Sequence, residues 1–154
     1  MAGIFSQEEV SRKAIEAFLK RYPHLSSSIG LYAGPFASIE RLDSPDAYLL
    51  VPIRDASGLR GIIQLNGKGL AIDSCAEIRD PESTFLIPEK TVLNLVKTSL
   101  PNRHGWGKPF LAWKPCRESY DSMRPLWVVP QTEGQVYVTQ NCDVFEELTT
   151  GKGG

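Results

Sequence analysis

The stretch Ala14-Ile15-Glu16-Ala17-Phe18-Leu19-Lys20-Arg21-Tyr22-Pro23 reads as an amphipathic helix stopped by proline. It returns as Val92-Leu93-Asn94-Leu95-Val96-Lys97-Thr98-Ser99-Leu100-Pro101. Working outward, Gly34-Pro35-Phe36 is echoed by Lys108-Pro109-Phe110, and Leu49-Leu50-Val51-Pro52 by Leu126-Trp127-Val128-Val129-Pro130. Gly61-Ile62-Ile63 is echoed by Gly134-Gln135-Val136. The separations run from 73 residues (Gly61 to Gly134) to 78 (Ala14 to Val92). Four echoes in one order at nearly one period indicate a duplicated unit of a helix followed by strands. A doubling fixes architecture and says little about chemistry.

The first copy opens with capping-box spacing, Ser6 to Glu9. Val10, Ala14, Ala17, Phe18 and Tyr22 recur at three- and four-residue steps and form one apolar face. Pro23 terminates the helix. Short extended pieces are expected at 29–33 and 35–39, then a strong strand at 47–54, where Pro52 signals an edge or a bulge. Asp55-Ala56-Ser57-Gly58 reads as a hairpin turn. The chain returns over 60–65, turns at Asn66-Gly67 and forms a third strand over 69–74. Asp80-Pro81-Glu82-Ser83 breaks the chain. The second helix runs over 88–99 with Pro88 at its first position. Its more apolar composition predicts deeper burial. Strands follow at 110–114, 124–130 and 135–139, with a last element at 143–148. Residues 1–80 and 81–154 therefore form two α+β pseudo-repeats, each a helix packed on an antiparallel sheet. A half of this size is marginal alone, so the two are expected to share one core or one sheet. Phe18 and Val96 fall at corresponding core positions.

Net charge is -1 across 17 Lys and Arg, 18 Asp and Glu. Nucleic-acid binders usually carry a strong positive excess, so that class is disfavoured. No stretch approaches the roughly 20 apolar residues of a membrane span. No apolar run near the start resembles a signal peptide. The expected compartment is the cytosol, with no membrane partner. Cys75, Cys116 and Cys142 are odd in number and widely spaced, against a disulfide framework.

Gly67-Lys68-Gly69 lacks the rest of a phosphate loop, since Leu70 follows and the context is a hairpin. No close-spaced Cys and His ligands specify a metal, and no cofactor is implied. A thiol enzyme needs a histidine beside its cysteine. Cys116 and His104 are the one pair near enough in sequence to be considered. No carboxylate pair stands above background, so no catalytic residue is assigned.

The aromatics carry more information. Trp106, Trp113 and Trp127 all lie in the second half, interleaved with Arg103, Lys108, Lys114, Arg117 and Arg124. Trp, Tyr and Arg are enriched at interface hot spots. The binding candidates are Arg103, Trp106, Lys108, Trp113 and Arg117. Trp106, between Gly105 and Gly107, is expected to be more exposed than Trp127.

Pro125-Leu126-Trp127-Val128-Val129, followed by Gly134-Gln135-Val136-Tyr137-Val138, resembles the ending of PepSY-like and YrhB-like small domains. The first half is similar more loosely, through Tyr48-Leu49-Leu50-Val51 and Gly61-Ile62-Ile63-Gln64-Leu65. The latter family includes immunity factors against polymorphic bacterial toxins. The resemblance implies a broadly cystatin-like helix-and-sheet unit and non-catalytic binding: toxin neutralisation, peptidase inhibition or peptide capture. The expected function is a cytosolic protein- or peptide-binding module with a protein or peptide partner, and a homodimer is compatible with it. In this reading the strands at 47–54 or 124–130 present edges to an extended peptide, with Trp106 as anchor. The alternatives are an accessory protein of a peptide-modifying pathway, a structural subunit of a larger complex, and a small thiol enzyme using Cys116 and His104.

Overall fold

The computed structural model describes residues 5–26, 30–82 and 84–149. They divide into two compact units, Met1–Glu40 with Pro45–Phe85, and Arg41–Ser44 with Leu86–Gly154. Each holds an α-helix and antiparallel strands, so the chain is mixed α and β with more strand than helix.

In the first unit, α1 (Gln7–Arg21) starts where expected. Ser6 is the N-cap, and its hydroxyl accepts the Glu9 amide at 3.1 Å. Glu8 and Glu9 lie in the first turn and Lys20 and Arg21 in the last, each matched to the helix dipole. The helix ends at Tyr22 (φ -127, ψ 68), because the following Pro23 disfavours helical geometry there. The strands are β1 (Tyr32–Ala33), β2 (Ala37–Arg41), β3 (Ala47–Asp55), β4 (Gly58–Asn66) and β5 (Ile72–Glu82). β4 lies between β3 and β5, and both β1 and β2 pair with β3. Val10, Ala14 and Phe18 of α1 pack on Leu49, Val51 and Ile53 of β3 and on Ile63 and Leu65 of β4. Phe18 is fully buried, and each such side chain contributes about 1.5–3 kcal/mol. Its ring lies directly over Gly61, where an added Cβ would come within 2.2 Å of Phe18 Cε1. Glycine at this point is what lets helix and sheet approach.

In the second unit, α2 (Glu89–Ser99) ends on the same geometry at Leu100 (φ -129, ψ 65), again before a proline. The strands β6 (Phe110–Trp113), β7 (Leu126–Gln131), β8 (Gly134–Val138) and β9 (Val144–Phe145) pair in that order, antiparallel throughout. Val92 and Val96 pack on Val129, Val136 and Val138. Ahead of α2, Ile87 is pinned at both backbone groups: its carbonyl accepts the Trp127 indole N–H at 2.9 Å, and its amide donates to Gln140 Oε1 at 2.9 Å. Among the described residues no helix is long and apolar enough to cross a membrane.

Several expectations are corrected. β3 and β7, read from sequence as peptide-accepting edges, each have neighbours on both sides. Their prolines are tolerated because a strand residue's N and C=O point the same way. The Pro52 carbonyl accepts the Gly34 amide at 2.9 Å, and the Pro130 carbonyl accepts the Gly107 amide at 2.7 Å. Each missing N–H therefore faces an incoming loop instead of the hairpin partner. β5 starts later than expected and continues through Asp80-Pro81 to Glu82, with irregular register against β4. The β4–β5 turn is wider than an Asn-Gly turn: Asn66 receives the Leu70 amide, and Leu70 adopts φ 58. Pro88 is the N-cap of α2 and not its first residue. Fully buried positions are fewer on α2 (Val92, Val96) than on α1, against the expected deeper burial, because Leu93, Leu95 and Leu100 remain half-buried. Gly61 sits in mid-strand, whereas Gly134 opens a strand after a two-residue turn. The residue that shares Gly134's role is Gly58, with φ 127 against 145.

Candidate protein-docking surface

The connection from β6 to β7, residues 114–125, is a long polar loop of the second unit, and it is built from the inside out. Trp113, Cys116 and Met123 are buried beneath it. The Trp113 indole N–H donates to the Ser119 carbonyl at 3.1 Å, fixing the loop's midpoint to the end of β6. The Ser119 hydroxyl donates to the Arg124 carbonyl at 2.6 Å and ties the two arms together. Asp121 caps the returning arm: its Oδ1 accepts the Met123 amide and its carbonyl the Arg124 amide, both at 2.9 Å. On the far side of Trp113, the Arg41 guanidinium lies 5.1 Å above the ring while gripping Asp43 through two hydrogen bonds. That grip holds the Asp43 carboxyl below its usual pKa.

The segment after β9 fastens the loop from outside. The Glu118 carboxylate accepts both the amide and the hydroxyl of Thr149, the latter at 2.8 Å, and the Arg117 amide donates to the Thr149 carbonyl at 3.3 Å. Partial desolvation raises the Glu118 pKa, but the two Thr149 hydrogen bonds outweigh it and the net shift is downward.

What this framework displays is Tyr120, 73% exposed and the most exposed large hydrophobic side chain described. Beside it lies a cleft of about 170 Å³ bordered by Asp121, Arg124, Gln140 and Asn141. Arg124 reaches across it to Asn141 Oδ1 at 2.8 Å. An exposed tyrosine on a braced loop, with Arg117 and Arg124 on its two arms, has the composition of an interface anchor.

The five residues read from the sequence are dispersed through the second unit. Trp113 and Arg117 belong to this loop, one as its buried support and the other exposed on its outer arm. Lys108 is exposed just before β6. Trp106, expected to be the more exposed, is half-buried against the α2 core, as is Trp127. Its glycine-flanked loop is held tightly: the His104 carbonyl accepts the Gln131 amide group and the Thr132 hydroxyl, and Gly105 (φ 74) abuts Thr132. Arg103 lines an open groove of about 510 Å³ with Glu133, Gln135 and Tyr137, where it is paired with Glu146. Tyr120 was not singled out from the sequence. Its signal was a polar twelve-residue connection, long for neighbouring antiparallel strands, with an aromatic at its centre.

The chemistry of Cys116 is that of a support. It is fully buried, its thiol donates to the Ser119 carbonyl at 3.5 Å, and burial pushes its pKa up, opposite to what a nucleophile needs. Among the described residues no group of three or more His, Cys, Asp or Glu is placed to hold a metal. No protein-family model, curated protein or solved structure matches this chain.

Proposed function

We propose that the chain is a non-catalytic protein-binding module of the cytosol that docks its partner through the 114–125 loop, with Tyr120 as anchor. The observation that carries this reading is the pairing of high exposure at Tyr120 with a backbone fixed from both sides. Neutralising a toxin or inhibiting a peptidase is the specific form that the resemblance to YrhB-like domains favours. Tyr120→Ala tests it. A partner captured by the wild-type chain from native lysate and identified by mass spectrometry should bind the variant at least tenfold more weakly, since anchor residues contribute about 2 kcal/mol or more. The thermal midpoint should not move, because the side chain is exposed. Equal affinity for the same partner would sink the reading.

We also propose that the two units descend from one duplicated, broadly cystatin-like ancestor. Two details support this: the matched helix ends at Tyr22-Pro23 and Leu100-Pro101, and the repeated glycine-to-proline contact at Gly34 with Pro52 and Gly107 with Pro130. Ala14 and Val92, like Phe18 and Val96, are all fully buried at a separation of 78. A crystal structure should superpose α1–β2–β3–β4 on α2–β6–β7–β8. Helices lying on opposite faces of their sheets in the two units would refute a common origin.

A further inference from the structure

Two of the fastenings of the docking loop differ in kind. Its inner fastening, Trp113 to Ser119, is partly buried and lies within one continuous stretch of chain. Its outer fastening brings in a separate segment: Thr149, four residues beyond β9, offers its amide and hydroxyl to one carboxylate, Glu118. The same Thr149 accepts the Arg117 amide, so two adjacent loop residues are held by one residue. Thr149 is exposed and Glu118 half-buried, so this fastening opens without disturbing the core. A contact of this kind is strong because its acceptor is charged, and it is local because both partners sit at the surface.

We propose that Thr149 is a releasable clamp on the docking loop: with Glu118 engaged, the loop holds the shape that presents Tyr120, and with Glu118 disengaged, residues 117–123 loosen. The presentation of Tyr120 rests on the docking reading above; the clamp does not. Any change that places negative charge at residue 149 opposes the Glu118 carboxylate and opens the clamp. Loosening lowers partner affinity, because the loop must then be re-ordered on binding.

Hydrogen–deuterium exchange of the full chain tests the clamp without any partner. Amide exchange across 117–123 should rise about tenfold in Glu118→Ala and in Thr149→Glu, the loss of charge-assisted hydrogen bonds being read as local opening. Thr149→Ser, which keeps both donors, should remain at the wild-type rate. Amides of β7 should be unchanged in all three, showing that the unit is intact. Wild-type exchange rates in the loop of both Glu118→Ala and Thr149→Glu would overturn the proposal, as would equal loosening by Thr149→Ser. Failure of the docking reading shows separately, as unchanged capture by Tyr120→Ala in a chain whose loop exchange is normal.

Discussion

At the scale of single residues, side chains with one obligation were the easiest to read. Ser6 faces Glu9 at a spacing that permits one local solution, and the hydroxyl accepts that amide. Residues whose role depends on distant chain were not legible. Gly61 looked like half of an echo with Gly134, but its role is set by Phe18, forty-three positions earlier in the sequence. Gly61→Ala should therefore destabilise the chain by about 1–3 kcal/mol, the usual range for overpacking. Its Cβ would meet the Phe18 ring and also the Ala76 carbonyl at 2.7 Å, and a backbone atom has little room to yield. Urea unfolding measures this, and an unchanged midpoint would show that α1 shifts freely on the sheet. Tyr120 was illegible for the opposite reason. Nothing in its sequence neighbours says that the Trp113 indole will meet the carbonyl of Ser119, the residue before it.

At the scale of elements, apolar periodicity identified both helices and the main strands, since period alone says which face is buried. It did not say which strands would be central. Pro52 of β3 argued for an edge or a bulge, on the premise that a missing donor breaks a ladder. The structure keeps β3 and β7 inside by turning the proline of each toward a glycine whose amide meets its carbonyl. The long reach of β5 through Pro81 escaped notice because proline and acidic residues look like punctuation in sequence, yet an outermost strand with irregular pairing accommodates them. The glycine-flanked Trp106 loop misled in the same way. Glycine there permits φ 74 and close approach to Thr132, and the result is a tightly held loop with a half-buried indole. The proposed docking element is instead the β6–β7 connection. Its order comes from side-chain to backbone bonds, which no periodic signal encodes.

At the scale of the whole molecule, the chain combines two helix-and-sheet units, a near-neutral net charge and three free cysteines. Of these cysteines Cys116 is fully buried within the β6–β7 connection. Among the exposed aromatics Tyr120 differs from Tyr32 in what stands behind it. Tyr32 lies in a two-residue strand and is 53% exposed, while Tyr120 caps a braced loop. The most direct test of the account replaces each tyrosine in turn with a photo-crosslinking phenylalanine analogue and irradiates the full chain in native lysate. The account predicts a discrete covalent adduct from position 120 that is absent from position 32. No adduct from position 120, or the same species from both positions, would contradict it.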